Sequence, residues 1–177
     1  NKLTDEENNY LEIVERNGKQ LLKLINDILD LSKIEAGKME VNPKSMSLKT
    51  LLQDIKDNLQ PISNEKGLEF ELNIANVLPQ IETDEGKLHQ ILQNIVGNAV
   101  KFTEKGKVEI NVNSNADNVL IQVIDTGIGI PADALLHIFE EFRQVDGTSS
   151  RSYEGTGLGF AIAHKLIKIL GGNINAE

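Results

Sequence analysis

The sequence predicts an α+β fold, a two-layer sandwich of helices on a sheet, preceded by one long helix. Mostly apolar residues, broken by Asn17, recur at alternating steps of four and three from Tyr10 to Leu31, which is a helical seam. Residues 68–74 alternate apolar and polar, as a half-buried strand does, and apolar-rich strands at 108–112 and 119–124 flank a turn. Helices and strands also alternate without the regular strand-helix-strand rhythm of a doubly wound sheet.

The opening helix starts at a capping box, Thr4-Asp5-Glu6-Glu7, in which the Thr4 hydroxyl and the Glu7 carboxylate satisfy each other's orphan amides. Tyr10, Val14, Asn17, Leu21, Leu24, Ile28 and Leu31 form its seam, which Leu11, Leu22, Ile25 and Leu29 widen beyond a two-stranded zipper. Gly37 is its expected stop. Some 30 residues of helix reach about 45 Å, too long for the remaining chain to cover. A single long core helix is the plain alternative. The expected arrangement is half of a helical bundle, completed by further sequence or a second chain. The predicted division is residues 1–40 and 41–177.

Beyond Pro43, Ser47 is placed to cap a helix carrying Leu48, Leu51, Leu52, Ile55 and Leu59, with its end expected near Pro61. A strand over Leu68–Ile74 and a helix from about Glu85 to Val100 follow. Strands at Val108–Val112 and Val119–Ile124 flank the turn Asn115-Ala116-Asp117-Asn118. A helix over Ala132–Phe139 comes next, then a flexible Gly- and Ser-rich stretch at Asp146–Gly157. An apolar helix from Leu158 to Leu170 precedes another strand beginning at Asn173-Ile174-Asn175.

Composition narrows the function. The 177 residues are 40% hydrophobic and 25% charged, a globular rather than a disordered balance. No apolar run approaches the ~18 residues that cross a bilayer, and Asn1–Tyr10 is too polar for a signal peptide. The absence of cysteine excludes disulfides, thiolate zinc sites and Cys nucleophiles, and fits a reducing compartment. A net charge of -9 argues against general nucleic-acid binding, so a polyanionic ligand needs a local device.

Three segments offer one. On the helix near residue 90, Lys87, Gln90, Asn94, Asn98 and Lys101 form a polar stripe beside the apolar face. A solvated face is the plain alternative, but asparagine costs about 0.6 kcal/mol in a helix relative to Ala. Stacked amides donate to phosphate oxygens and accept from a hard cation or its waters, and Lys101 adds positive charge. Next, Asp125-Thr126-Gly127-Ile128-Gly129-Ile130 ends a strand. It places a carboxylate beside backbone that a flat group can approach, and an acceptor-only carboxylate favours the amine of adenine. An ordinary turn is one rival. The Asp-Thr-Gly of aspartic proteases is another, although the chain carries no second copy. Last, Gly155-Thr156-Gly157-Leu158-Gly159 opens a helix, either as a cap or as a phosphate site. It is not a dinucleotide fingerprint, since Phe160 stands where the third glycine belongs, and no P-loop is present.

The order of these segments resembles the ATP-binding domain of sensor histidine kinases, one branch of the fold shared with gyrase, mismatch-repair and heat-shock ATPases. Residues 94–103 look like the N box, 125–130 the G1 box, 139–142 the F box and 155–159 the G2 box. Leu29 to Gly37 looks like part of the second helix of the dimerisation and phosphotransfer hairpin. The resemblance implies a Bergerat-type sandwich that binds ATP with Mg2+. In it, Asp125 bonds the adenine amine with Gly127, Gly129, Ile130 and Thr156 nearby, and Phe102 packs on the base. Asn98 ligates the magnesium with Asn94 alongside, and Lys101 approaches the phosphates. Residues 139–157 form a lid with Arg143 and Arg151 as phosphate contacts, and Gly155, Gly157, Leu158 and Gly159 supply the phosphate loop. Relatives that hydrolyse ATP carry a glutamate at position 94; an amide takes no proton from water, so transfer is favoured over hydrolysis.

The family acceptor, a histidine on the first bundle helix, is matched by none of His89, His137 and His164, which read as structural or surface residues. The expectation is a fragment carrying the ATP machinery of a histidine kinase, without the acceptor and without the final strand. Glu154 stands where many relatives have a second glycine. The implied partners are a second copy through the opening helix and a response-regulator receiver domain. The domain is expected to be cytoplasmic, with any membrane anchor in missing sequence. The rival is a non-catalytic dimerisation and nucleotide-sensing module.

Overall fold

In the computed structural model, residues 3–75, 78–115, 117–143 and 156–177 are described. The expectations for Asp146–Gly155, including Arg151 and Gly155, lie outside them. The chain forms two compact units, Asn1–Met39 and Glu40–Glu177.

The first unit is helix α1, Asp5–Glu35. Its capping box is formed: the Glu7 amide donates to Thr4 Oγ1 at 3.2 Å, and the Thr4 amide to Glu7 Oε2 at 2.7 Å. At the other end Gly37 takes φ +63, a left-handed conformation that glycine adopts without strain, and Lys38 N returns to Lys33 O. The 31 residues span about 47 Å. Much of the apolar seam is exposed, with Val14 at 66% and Leu22 at 63%.

In the second unit, β1 (Lys44–Met46) pairs antiparallel with β3 (Ile81–Thr83). Strand β2 (Glu69–Ile74) pairs parallel with β4 (Lys107–Ser114), and β4 antiparallel with β5 (Val119–Asp125), giving the order β2-β4-β5. One face of this sheet buries Phe70, Val108, Ile110 and Val112. They meet Leu52 and Ile55 of α2 (Leu48–Lys66) and Leu92, Val96 and Val100 of α3 (Glu85–Phe102) in one core. The other face carries polar side chains such as Glu71, Asn111 and Gln122, so the unit is a two-layer α+β sandwich. Helix α5 (Gly159–Ile169) packs against α3.

Four expectations are corrected. Helix α2 does not end near Pro61 but continues to Lys66. Proline removes one amide from the ladder without ending the helix, because Leu59 and Ser63 on either side remain buried. The stop is Gly67, left-handed at φ +65. Helix α3 starts from Asp84 as its cap and reaches Phe102, so Lys101 and Phe102 are helical. The helix expected over Ala132–Phe139 is only Ala132–Leu135, α4. Three-residue turns follow it, with His137 N bonded to Ala134 O and Glu140 N to His137 O. Phe139 is drawn out to stack on His164, its ring centroid at 4.9 Å. Finally, Asn173–Asn175 forms no strand, since no described strand pairs with it. The short strands β1 and β3 went unforeseen, being too brief for an alternation to show.

Asp84 ties the start of α3 to the preceding chain. Its carboxylate accepts from Lys87 N at 3.1 Å, Lys87 Nζ at 2.8 Å and Asn42 N at 2.9 Å. These bonds, led by that from the Lys87 ammonium, hold its pKa down at about 2. A depressed carboxylate pKa adds stability above the unfolded value and loses it as pH falls through the folded one. Asp84 is therefore expected to contribute about 2 kcal/mol at neutral pH, lost between about pH 4 and about pH 2. Urea unfolding checks this: the gap between wild type and Asp84→Ala closes across that window, and a constant gap contradicts the assignment.

Candidate functional site

The C-terminal end of α3 is the meeting point. Helix α3 packs against both β5 and α5, with Asn94 meeting Gly159 at the start of α5 and Phe102 meeting the turn after Asp125. Asn94, Asn98 and Lys101 follow one another along α3; Asn94 is buried, the other two half-buried. Asn94 Nδ2 donates to Gly159 O at 3.3 Å, pinning α5 to α3 and leaving Oδ1 as the amide's acceptor end. The Lys101 ammonium lies 4.8 Å from the centroid of the Phe102 ring, a cation–π contact at the helix end.

The Asp125 turn is docked on that end by two contacts. The Ile128 amide donates to Phe102 O at 3.3 Å. Gly127 lies so close that a Cβ there would sit 2.6 Å from Phe102 O. Within the turn, Asp125 Oδ1 accepts from the Gly127 amide at 2.9 Å, which orients an exposed carboxylate. Thr126 latches the turn's other side: its amide donates to Lys107 O at 3.1 Å, and its Oγ1 accepts from Lys107 N at 3.0 Å. Gly129 takes φ +69, and Ile130 is half-buried.

Around α5, Leu158 is fully buried and its amide donates to Thr156 Oγ1 at 3.3 Å. Among the described residues no side chain caps the first amides of α5. Gly157, at φ +70, lies against the Phe142–Arg143 backbone, where a Cβ would come 2.8 Å from Arg143 O. Phe139 packs edge-on to Phe160 at 6.3 Å, and Glu141 pairs with Lys165 at 2.7 Å. Arg143 is exposed and donates to Glu140 Oε2 at 3.0 Å. Of the three histidines, His164 stacks on Phe139, His137 contacts Glu140, and His89 lines an open cleft of about 750 Å³. That cleft is at the N-terminal end of α3, away from the site.

Two anchoring groups carry no motif in the sequence. The Thr103 hydroxyl, wholly buried, donates to Ala99 O at 2.7 Å. Lys66, from α2, reaches the carbonyls at the end of α3. None of the three carbonyls, Val100, Lys101 and Thr103, is near in sequence to Lys66, so no local pattern signals that reach.

Residues 83–177 match the family described as histidine kinase-, DNA gyrase B-, and HSP90-like ATPase, and residues 1–37 match the His Kinase A (phospho-acceptor) domain. The chain belongs to that ATPase family. Within it, the chain is a catalytic region of the sensor histidine kinase branch. It is 41% identical over 180 residues to the signal transduction histidine-protein kinase BarA of Escherichia coli, covering 98% of this chain and 20% of that protein. It is 40% identical to the circadian input-output histidine kinase CikA of Synechococcus elongatus, covering 99% and 24%. The chain thus spans roughly a fifth to a quarter of these curated relatives. Among solved structures, full-length ShkA in complex with AMPPNP matches with a TM-score of 0.82 at 37% identity, covering 97% of this chain and 35% of that one. No described helix is long and apolar enough to cross a membrane.

The close approach at Gly127 has a measurable consequence. Gly127→Ala forces the turn off the α3 carbonyl and is expected to cost about 1–3 kcal/mol of stability. Thermal unfolding at wild-type stability refutes that contact.

Proposed function

We propose that this chain binds Mg-ATP at the end of α3 and donates its γ-phosphoryl group to a histidine outside residues 1–177, for relay to a response-regulator aspartate. The observation that carries the reading is the Ile128 N to Phe102 O bond, 3.3 Å, which ties the turn after Asp125 to the last residue of α3. Asp125 accepts from the adenine amine through oxygen left over from its bond to Gly127, and Gly127 and Gly129 let the base come close. Phe102 packs on the base. Lys101 leaves its ring contact to meet phosphate, joined by the uncapped amides of Gly159 and its neighbours. Thr156, Gly157 and Leu158 shape that loop, and Gly155, Arg143 and Arg151 are its further phosphate contacts. The AMPPNP in ShkA, a relative at 37% identity, supports the choice of nucleotide.

The donor set suits magnesium. Asn94 and Asn98 offer neutral amide oxygens, and no group of three His, Cys, Asp or Glu able to hold a metal occurs among the described residues. A hard cation with few protein ligands is the kind that nucleotide phosphates and water complete. When bound, the ion neutralises charge on the phosphates. The chain's own part is positioning: it holds the nucleotide so that a P–N bond to the acceptor forms as the bond to the ADP oxygen breaks. Asn94 provides no general base, so water is not activated.

Residues 1–40 serve as one helix of a dimerisation and phosphotransfer hairpin, and residues 41–177 as the ATP-binding unit. The exposed seam of α1 and the His Kinase A match support a homodimer through that helix. The domain works in the cytoplasm.

Two measurements test the reading. Asp125→Asn keeps the bond to Gly127 but loses the charge, and is expected to weaken ATP binding about 10–150-fold by calorimetry. Unchanged affinity removes Asp125 from the adenine contact. With labelled ATP and a protein carrying the complete hairpin, label is expected on the acceptor histidine; its absence favours a nucleotide-sensing module that transfers nothing.

A further inference from the structure

Lys66 ends α2, yet it does not serve its own helix. That helix is already closed by Gly67 N bonded to Asn64 O at 3.0 Å and Leu68 N to Ser63 O at 2.9 Å. The Lys66 ammonium instead crosses to α3 and donates to Val100 O at 2.8 Å, Lys101 O at 2.7 Å and Thr103 O at 3.1 Å. An ammonium has three donors, so its hydrogen-bonding capacity is used up there.

Every carbonyl from 99 to 103 then has a donor. Ala99 O takes the amide and hydroxyl of Thr103, and Lys66 takes Val100, Lys101 and Thr103. Phe102 O takes the Ile128 amide of the Asp125 turn. A helix end carries partial negative charge on these carbonyls, which a cation stabilises in place.

We propose that Lys66 is a positioning residue for the nucleotide site. By holding the carbonyls around Phe102, it fixes where the Asp125 turn hangs relative to Asn94, Asn98 and Lys101. Without Lys66, the Val100, Lys101 and Thr103 carbonyls lose their shared donor, and the turn loses its fixed anchor. The inference rests on the ATP-site reading above.

The test compares Lys66→Met, which keeps the stem but no donor, with Lys66→Arg, which keeps charge and donors. Each is titrated with Mg-AMPPNP by calorimetry at a temperature where its amide spectrum is that of the folded protein. Lys66→Met is expected to bind about tenfold more weakly, and Lys66→Arg to remain within about threefold of wild type. The Ile128 and Gly129 amide signals are expected to move in the Met variant and not in the Arg variant. A merely structural lysine lowers the melting temperature and leaves affinity alone, and that result overturns the proposal. If Lys66→Met does not fold, Lys66→Gln takes its place, with wild-type affinity again the overturning result. Asp125→Asn is titrated alongside. Weak binding there with normal binding in Lys66→Met sinks the role of Lys66 and keeps the site; failure of the wild type to bind sinks both.

Discussion

The carbonyl oxygens at the end of α3 are the constraint on which this site depends. A helix leaves its last carbonyls without intrahelical donors, and burying them unpaired is costly. Here the donors come from Thr103 on the same chain segment, Lys66 on α2 and Ile128 on the turn after β5. One solution to that shortage joins two helices and a turn remote in sequence. The strand β5 ends beside α3 because its last residue leads directly into a turn that has a bond to make there.

The second half of the site is assembled by a different kind of contact. Asn94 binds the backbone of Gly159, and Phe139 stacks on His164 and meets Phe160 edge-on. The two phenylalanines of the 139–142 segment have opposite fates. Phe139 is half-buried in that stack, whereas Phe142 is exposed at 63% and adopts φ +59, uncommon for a residue with a side chain. Gly157 lies against the same backbone at a distance that excludes a Cβ. Close backbone approach therefore explains Gly127 and Gly157 equally, and it concerns packing before it concerns any ligand.

Asn94 shows how structure refines a motif. Two asparagines four residues apart looked wasteful on a helix, and that expense pointed to a ligand. The amide of Asn94 in fact divides its ends, with Nδ2 holding α5 in place while Oδ1 remains an acceptor. Arg143 is a similar case, since its guanidinium is turned to Glu140 in the structure. Pro61 misled for the converse reason. Its local preference is to break a helix, but buried neighbours on α2 outweigh the loss of one hydrogen bond.

The long amphipathic helix with its capping box, the alternating strands, the glycine turns and the order of the segments were all legible in the linear chain, because each rests on neighbours a few residues apart. The family resemblance followed from the same local patterns. Which carbonyl each donor reaches was not legible. Lys66 looks like any lysine closing a surface helix, Thr103 like a residue just past a helix end, and the brief β1–β3 pair like loop. Their roles arise from hydrogen bonds across the fold, and only the folded chain brings those donors and acceptors within reach of one another.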